Sequence, residues 1–86
     1  MQNAVPSPDY EARLRAILTA HDWEALREFA HEQNQIPDEI YAKDRHFWEV
    51  MLHKLICNRL DMLSQHEASR AWLAENGGYS TDIGGY

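Results

Sequence analysis

The sequence predicts an all-α protein, a small bundle of about four helices around one long apolar central helix. Apolar residues recur at helical spacing in four segments, and short breaks separate these segments. The run at about 44–63 is apolar on most of its circumference, which is typical of a helix buried on more than one side. We expect a single domain over 1–86, with a flexible leader at 1–6, the helical bundle at 7–76 and a flexible tail at 77–86.

The composition is that of a folded, soluble protein. Hydrophobic residues make up 44% of the chain and charged residues 26%, and nine aromatic side chains are available to fill a small core. The single cysteine excludes an internal disulfide framework. Charged residues interrupt the first twenty positions, and no apolar run reaches the roughly 18 residues of a membrane span. We therefore expect a cytoplasmic protein that does not bind membranes.

The first helix is predicted to begin after Ser7, whose hydroxyl can cap the free amides of a first turn. Pro8 suits the first helical position, and the Asp9 carboxylate faces the positive end of the helix dipole. The helix should end near Ala20. Its buried face is predicted to consist of Tyr10, Leu14, Ile17 and Leu18.

The second helix is predicted to begin at Asp22, which can serve as its N-cap. Almost no linker separates it from the first helix, so the two must form a tight hairpin. The chain breaks again before Pro37, because the residue that precedes a proline is disfavoured in the helical region. The buried stripe of this helix is predicted to be Trp23, Leu26, Phe29 and Ala30.

The central helix has two possible starts, Pro37 and Asp44. We prefer a short helical turn over 37–43 followed by a main helix capped by Asp44, because a single helix from Pro37 would be unusually long. On a helical wheel one side carries Trp48, Met51, Leu52, Leu55, Ile56, Met62 and Leu63. The other side carries His46, Glu49, His53, Cys57 and Leu60, with Phe47 and Val50 on the flanks.

The last helix is predicted over about 65–75. Ser64 and Glu67 fit a capping box, and Gly77 after Asn76 provides a stop signal. Its apolar residues are Ala68, Ala71, Trp72 and Leu73. The pattern of the four segments does not distinguish an orthogonal from an up-and-down arrangement.

The strongest candidate for a functional site is a row of side chains on one helical face, His46, Glu49, His53 and Cys57, since these are residue types that bind metals. His46 and His53 are seven residues apart, so about 10.5 Å of helix axis separates them and both cannot bind one ion. A metal- or ligand-binding protein that uses this face is the alternative function. Cys57 lies deep in a helix among apolar residues, which favours a buried filler over a nucleophile.

Other catalytic signatures are missing from the sequence, which has no Gly-rich phosphate loop, nucleophile elbow, H-E-x-x-H or C-x-x-C. We therefore predict a protein that is not an enzyme and needs no cofactor. A small nucleic-acid-binding regulator is a third possibility. A formal charge of −6 and basic residues spread along the whole chain disfavour contacts with phosphates, and we predict no nucleic-acid partner.

The function that we predict is a small, acidic, non-enzymatic interaction module or adaptor that binds another protein or a second copy of itself. We expect so small a bundle to cover only one apolar side of its central helix, and an exposed apolar patch marks a partner site. In the tail, large side chains follow the glycines, as in segments that dock into grooves. The predicted partner-binding residues are Phe47, Val50, Leu60, Tyr79, Ile83 and Tyr86.

Overall fold

The computed structural model describes residues 8–76, and the regular elements of this part of the chain are all helical. The predicted all-α bundle is confirmed. In chain order the elements are α1 (Pro8–Ala20), α2 (Trp23–Glu32), α3 (Asp38–Tyr41), α4 (Arg45–Cys57), a 3-10 segment (Leu60–Gln65) and α5 (His66–Asn76). The predicted leader, the Ser7 cap, the Gly77 stop and the predicted tail lie outside the described residues.

Helices α1 and α2 form the predicted tight hairpin, and its turn is closed at His21. The His21 amide donates to the carbonyl of Leu18 at 3.0 Å, and the Asp22 amide donates to that of Ile17 at 3.2 Å. These two bonds form a Schellman motif, which needs a left-handed residue after the helix. His21 supplies it with a φ of 56°. Asp22 then caps α2 by accepting from the Ala25 amide at 3.1 Å.

A second left-handed residue ends α2. Asn34 has a φ of 57°, and its amide donates to the carbonyl of His31, while Gln35 donates to that of Ala30. Asparagine tolerates this conformation better than most residues, because its short polar side chain can bond locally. The chain then turns through Pro37, the extended cap of α3.

Helix α4 begins after Asp44, as we preferred, and α3 is a separate short helix. The Asp44 carboxylate accepts from the Phe47 amide at 3.0 Å, so it satisfies one of the free donors of the first turn. The backbone of Asp44 is extended, with a ψ of 178°. One continuous helix from Pro37 is therefore not formed.

Replacing Asp44 with alanine should lower the free energy of unfolding by about 1 kcal/mol, because the first turn of α4 loses its acceptor. Asp44→Asn keeps a capping oxygen and should cost much less. Chemical denaturation followed by circular dichroism measures both. Equal losses in the two variants would contradict a capping role for this side chain.

Helix α4 ends at Cys57, six residues before the end that the apolar pattern predicts. Arg59 leaves the helical region, with φ −107° and ψ 123°. Tertiary contacts hold this bend. The Arg59 guanidinium donates to Glu11 of α1 at 3.2 Å, and His66 Nε2–H donates to the Arg59 carbonyl at 2.8 Å. The bend replaces one long central helix by α4 and a 3-10 segment, and it lets α5 fold back along α4.

The core lies between α4 and the inner faces of α1, α2 and the 3-10 segment. Trp48 is its largest fully buried side chain. Its indole Nε1 is buried without a hydrogen-bond partner among the described residues. The buried cluster contains Leu18, Leu26, Ala30, Trp48, Leu52, Ile56 and Met62. These residues belong to the stripes that the periodicity predicts, so helical spacing identified the core correctly.

Helix α5 packs against the second side of α4. The expectation that one side of the central helix stays uncovered is therefore wrong. His53 is buried under Ser69 and Trp72 of α5, and the Cys57 thiol contacts the His66 carbonyl at 3.8 Å. Within residues 8–76, no helix is both long and apolar enough to cross a membrane.

Candidate functional site

Two large apolar side chains of the 3-10 segment face solvent. Leu60 is 83% exposed and Leu63 is 63% exposed, while the other large apolar side chains that the structure describes are buried or half-buried. Met62 between them is 3% exposed, because the kinked backbone at this residue turns it into the core. Leu60 and Leu63 are called the leucine pair below.

Side-chain ion pairs connect the 3-10 segment, and Arg59 just before it, to α1. Arg59 contacts Glu11 at 3.2 Å and Asp61 at 3.0 Å, and Arg15 contacts Asp61 at 3.5 Å. These four charges, two of each sign, compensate one another. The hydrogen bonds and charge of Arg59 lower the pKa of the Asp61 carboxyl, which keeps it ionised. The segment that carries the leucine pair is therefore linked to α1 through side chains.

The outer face of α1 next to this segment carries small side chains. Ala12, Arg15, Ala16, Thr19 and Ala20 form one exposed face of this single helix, with a shallow groove along its alanines. The Arg15 side chain of this face reaches Asp61 of the 3-10 segment at 3.5 Å. The molecule thus presents to solvent both the leucine pair and a helix face of small residues, which the Arg15–Asp61 ion pair connects.

The other predicted partner-binding residues differ in position. Phe47 and Val50 are half-buried on α4, where the Phe47 ring packs edge-on against Trp48 at a centroid distance of 5.3 Å. Leu60 is the most exposed of the predicted set that the structure describes. The remaining candidates lie outside the described residues, namely Tyr79, Ile83 and Tyr86.

The predicted row on α4 is divided between several environments. His46 is exposed, and Glu49 forms a salt bridge with Arg45 at 2.9 Å. His53 is only 7% exposed. Burial raises the pKa of the Cys57 thiol, so the reactive thiolate is disfavoured.

No metal-binding group of three or more His, Cys, Asp or Glu side chains occurs within residues 8–76. His53 instead forms a hydrogen bond of 2.8 Å to Ser69, and His66 bonds to a backbone carbonyl. The metal alternative therefore has no ligand set in the described part of the chain.

A cavity opens where the start of α2, the middle of α4 and α5 meet. Its volume is 320 Å³. It is lined by His21, Trp23, Glu49, Leu52, His53, Ala68 and Trp72. Two of the four residues of the predicted row, Glu49 and His53, thus share one cavity.

His53 is the buried polar group of this cavity. Its ring stacks on Trp72 at a centroid distance of 4.4 Å and an interplanar angle of 21°, and the edge of His21 approaches it at 5.1 Å. Burial is the main cause that lowers the pKa of His53, and the charge of nearby His21 lowers it further, while Glu49 opposes them. His53 is therefore neutral at pH 7, with one hydrogen-bond donor and one acceptor.

The Ser69–His53 pair has the spacing of a nucleophile and its base, but Ser69 is only 1% exposed. A substrate cannot reach a hydroxyl that lies under the helix packing. The pair therefore orients the imidazole, and the side of the ring away from Ser69 is the side available to a ligand.

Several residues of these sites were missed by the sequence reasoning. Leu63 was assigned to the core side of a continuous helix, and the break before it was not foreseen. Asn58 and Asp61, which are poor residues for a helix interior, were the available signal. His21, Trp23 and Trp72 join the His53 cavity from other helices, and no local pattern indicates such contacts.

Comparisons with protein-family models, with characterised proteins and with solved structures gave no significant match to this chain.

Proposed function

We propose that this protein is a non-enzymatic interaction module that associates with a second copy of itself through the leucine pair and the groove on α1. The observation that carries the proposal is the exposure of Leu60 and Leu63, at 83% and 63%. Isolated exposed leucines are common on protein surfaces, but two within four residues of one short segment offer a larger apolar area to a partner.

The arrangement favours a second copy as the partner. In a twofold dimer the same surface serves both copies, so a protrusion must meet a recess on the same face. The leucine pair supplies the protrusion, and the groove at Ala12, Ala16 and Ala20 supplies the recess. Four charged side chains near the leucine pair form ion pairs within each copy, namely Glu11, Arg15, Arg59 and Asp61. Contact between copies therefore leaves none of them without a counter-charge.

The net charge of −6 on each copy opposes association, and salt screens this repulsion. We therefore expect a weak dimer that is favoured by higher salt. Sedimentation velocity from about 10 µM to about 1 mM, at low and at high salt, covers the range in which such a dimer would dissociate. A molar mass of one chain at every concentration and salt would overturn the proposal.

Two variants test the surface from both sides. Leu60→Ser combined with Leu63→Ser removes the protrusion, and Ala16→Gln fills the recess with a residue that suits a helix. Both should remain monomeric where the unmodified protein dimerises, and both should keep the helical circular dichroism spectrum. Ala74→Gln, at an exposed position of α5, is the matched control and should dimerise normally. Dimers in either test variant would contradict this interface.

A further inference from the structure

We propose that the cavity between α2, α4 and α5 is a binding site for a small, uncharged, planar ring compound, which stacks among its aromatic walls and forms one hydrogen bond with His53. This site is separate from the leucine pair, and it does not depend on self-association.

The size of the cavity suits a ligand of one or two rings. Its 320 Å³ lies at the lower end of the range for ligand pockets, about 300–1,000 Å³. A dry cavity of about 150 Å³ is enough for benzene. The indoles of Trp23 and Trp72 are part of the lining, where Trp72 and the His53 ring stacked on it form one aromatic layer, and Leu52 and Ala68 add apolar surface. Flat apolar walls favour a planar ligand over a branched one.

One nitrogen of the His53 ring is available to orient the ligand. His53 Nδ1 is taken by Ser69 at 2.8 Å, and Nε2 has no hydrogen-bond partner among the described residues. Stacking on Trp72 and the edge contact with His21 fix the plane of the imidazole. A ring that is held on three sides directs its free nitrogen without further loss of rotational entropy, which is the arrangement expected of a preformed site.

The charges around the cavity cancel, which favours an uncharged ligand. Glu49 is the acidic group in the lining, and its carboxylate accepts from Arg45 Nε at 2.9 Å. Arg45 and Arg27 also lie over the ring of Trp23, at 5.8 Å and 5.5 Å from its centroid, and Arg27 is itself paired with Glu28 at 3.1 Å. A charged ligand would have to give up its hydration without a free counter-charge in the cavity.

Titration with indole, whose N–H donates, and with quinoline, whose nitrogen accepts, tests the site by amide chemical shifts of the labelled full chain. Binding of either probe supports the proposal when the shifts centre on α4 and α5 around His53 and Trp72. The probe that binds also shows which ring nitrogen of neutral His53 carries the proton. Binding of indole requires it on Nδ1, and binding of quinoline requires it on Nε2. Shifts for neither probe, or shifts confined to another part of the protein, would overturn the proposal.

Matched variants on α5 locate the binding. Ala68 lines the cavity and is exposed, so Ala68→Leu fills the space without disturbing the core, and affinity should fall at least about tenfold. Ala71→Leu, also exposed and outside the lining, should keep affinity within about twofold. Equal affinities of the two variants would contradict the site. His53→Phe keeps a stacking ring and should lose about fivefold to tenfold, the share of one hydrogen bond. Unchanged affinity in that variant would contradict the role of His53.

Discussion

Replacing Trp48 with alanine should lower the free energy of unfolding by about 3–5 kcal/mol, a large share of the roughly 5–15 kcal/mol that stabilises a small domain. Trp48 is 2% exposed, and it packs with Leu18, Leu26 and Leu52 in the core cluster. Alanine leaves a cavity that helices anchored at several points cannot fill by moving. Urea unfolding followed by circular dichroism at 222 nm measures the loss, since the substitution also removes a fluorophore.

Two comparisons separate the causes of this loss. Trp48→Phe keeps most of the apolar contact and removes an indole N–H that has no hydrogen-bond partner, so it should cost only about 1–2 kcal/mol. Leu60→Ala shortens an apolar side chain that is 83% exposed, and should change stability by no more than about 0.5 kcal/mol. A Trp48→Ala variant no less stable than Leu60→Ala would contradict the central position of this indole.

Lowering the pH from 7 to 5 should destabilise the protein, and His53 should be the principal cause. Burial lowers the pKa of His53 in the folded state, the charge of His21 adds to this effect, and Glu49 opposes it. The unfolded chain therefore takes up a proton at higher pH than the folded chain does. The stability that His53 contributes through its lowered pKa is fully present above about pH 6.5, the pKa of an unperturbed histidine. This stability is lost as the pH falls toward the pKa of His53 in the folded protein. The free energy of unfolding then falls by at most about 1.4 kcal/mol per pH unit for one proton.

A double variant tests this origin. His53→Leu combined with Ser69→Ala replaces both polar partners, so no buried donor or acceptor is left alone, and stability should change less between pH 7 and 5. His46→Gln on the exposed part of the same helix keeps His53 and should keep the slope. The carboxyls of Glu28 and Asp61 have lowered pKa values, because Tyr41 and Arg59 donate hydrogen bonds to them. These two carboxylates therefore lose their contribution to stability only below the range from pH 7 to 5. An unaltered slope in the double variant would show that another group is responsible.

The starts of α2 and α4 could be predicted from the sequence, and the end of α4 could not. Asp22 and Asp44 are local signals, because a capping side chain bonds an amide three residues away. The ends at His21 and Asn34 carry no glycine, although a left-handed residue is required at both. The end of α1 near Ala20 and the break before Pro37 were nevertheless predicted. The end at Cys57 is harder still, since the contacts that hold the bend at Arg59 come from α1 and α5.

The candidate sites were predicted only in part. Leu60 was placed correctly among the exposed apolar residues, and Glu49 and His53 were placed on one face of a helix. The sequence did not indicate that Ser69 and Trp72 close over His53. These residues are 16 or more positions apart from it, and nothing in their spacing predicts a contact.

Signals within one or two helical turns were sufficient for the all-α class, the caps at Asp22 and Asp44 and the buried stripe around Trp48 and Leu52. They did not identify the cap of α5, since Ser64 lies inside the 3-10 segment. Only the tertiary structure decided where α4 ends and which side of it α5 covers. It also decided that the leucine pair faces solvent and that a cavity remains beside His53. Each of these features depends on contacts between distant segments, and a one-dimensional pattern records which side of a helix is apolar but not what packs against it.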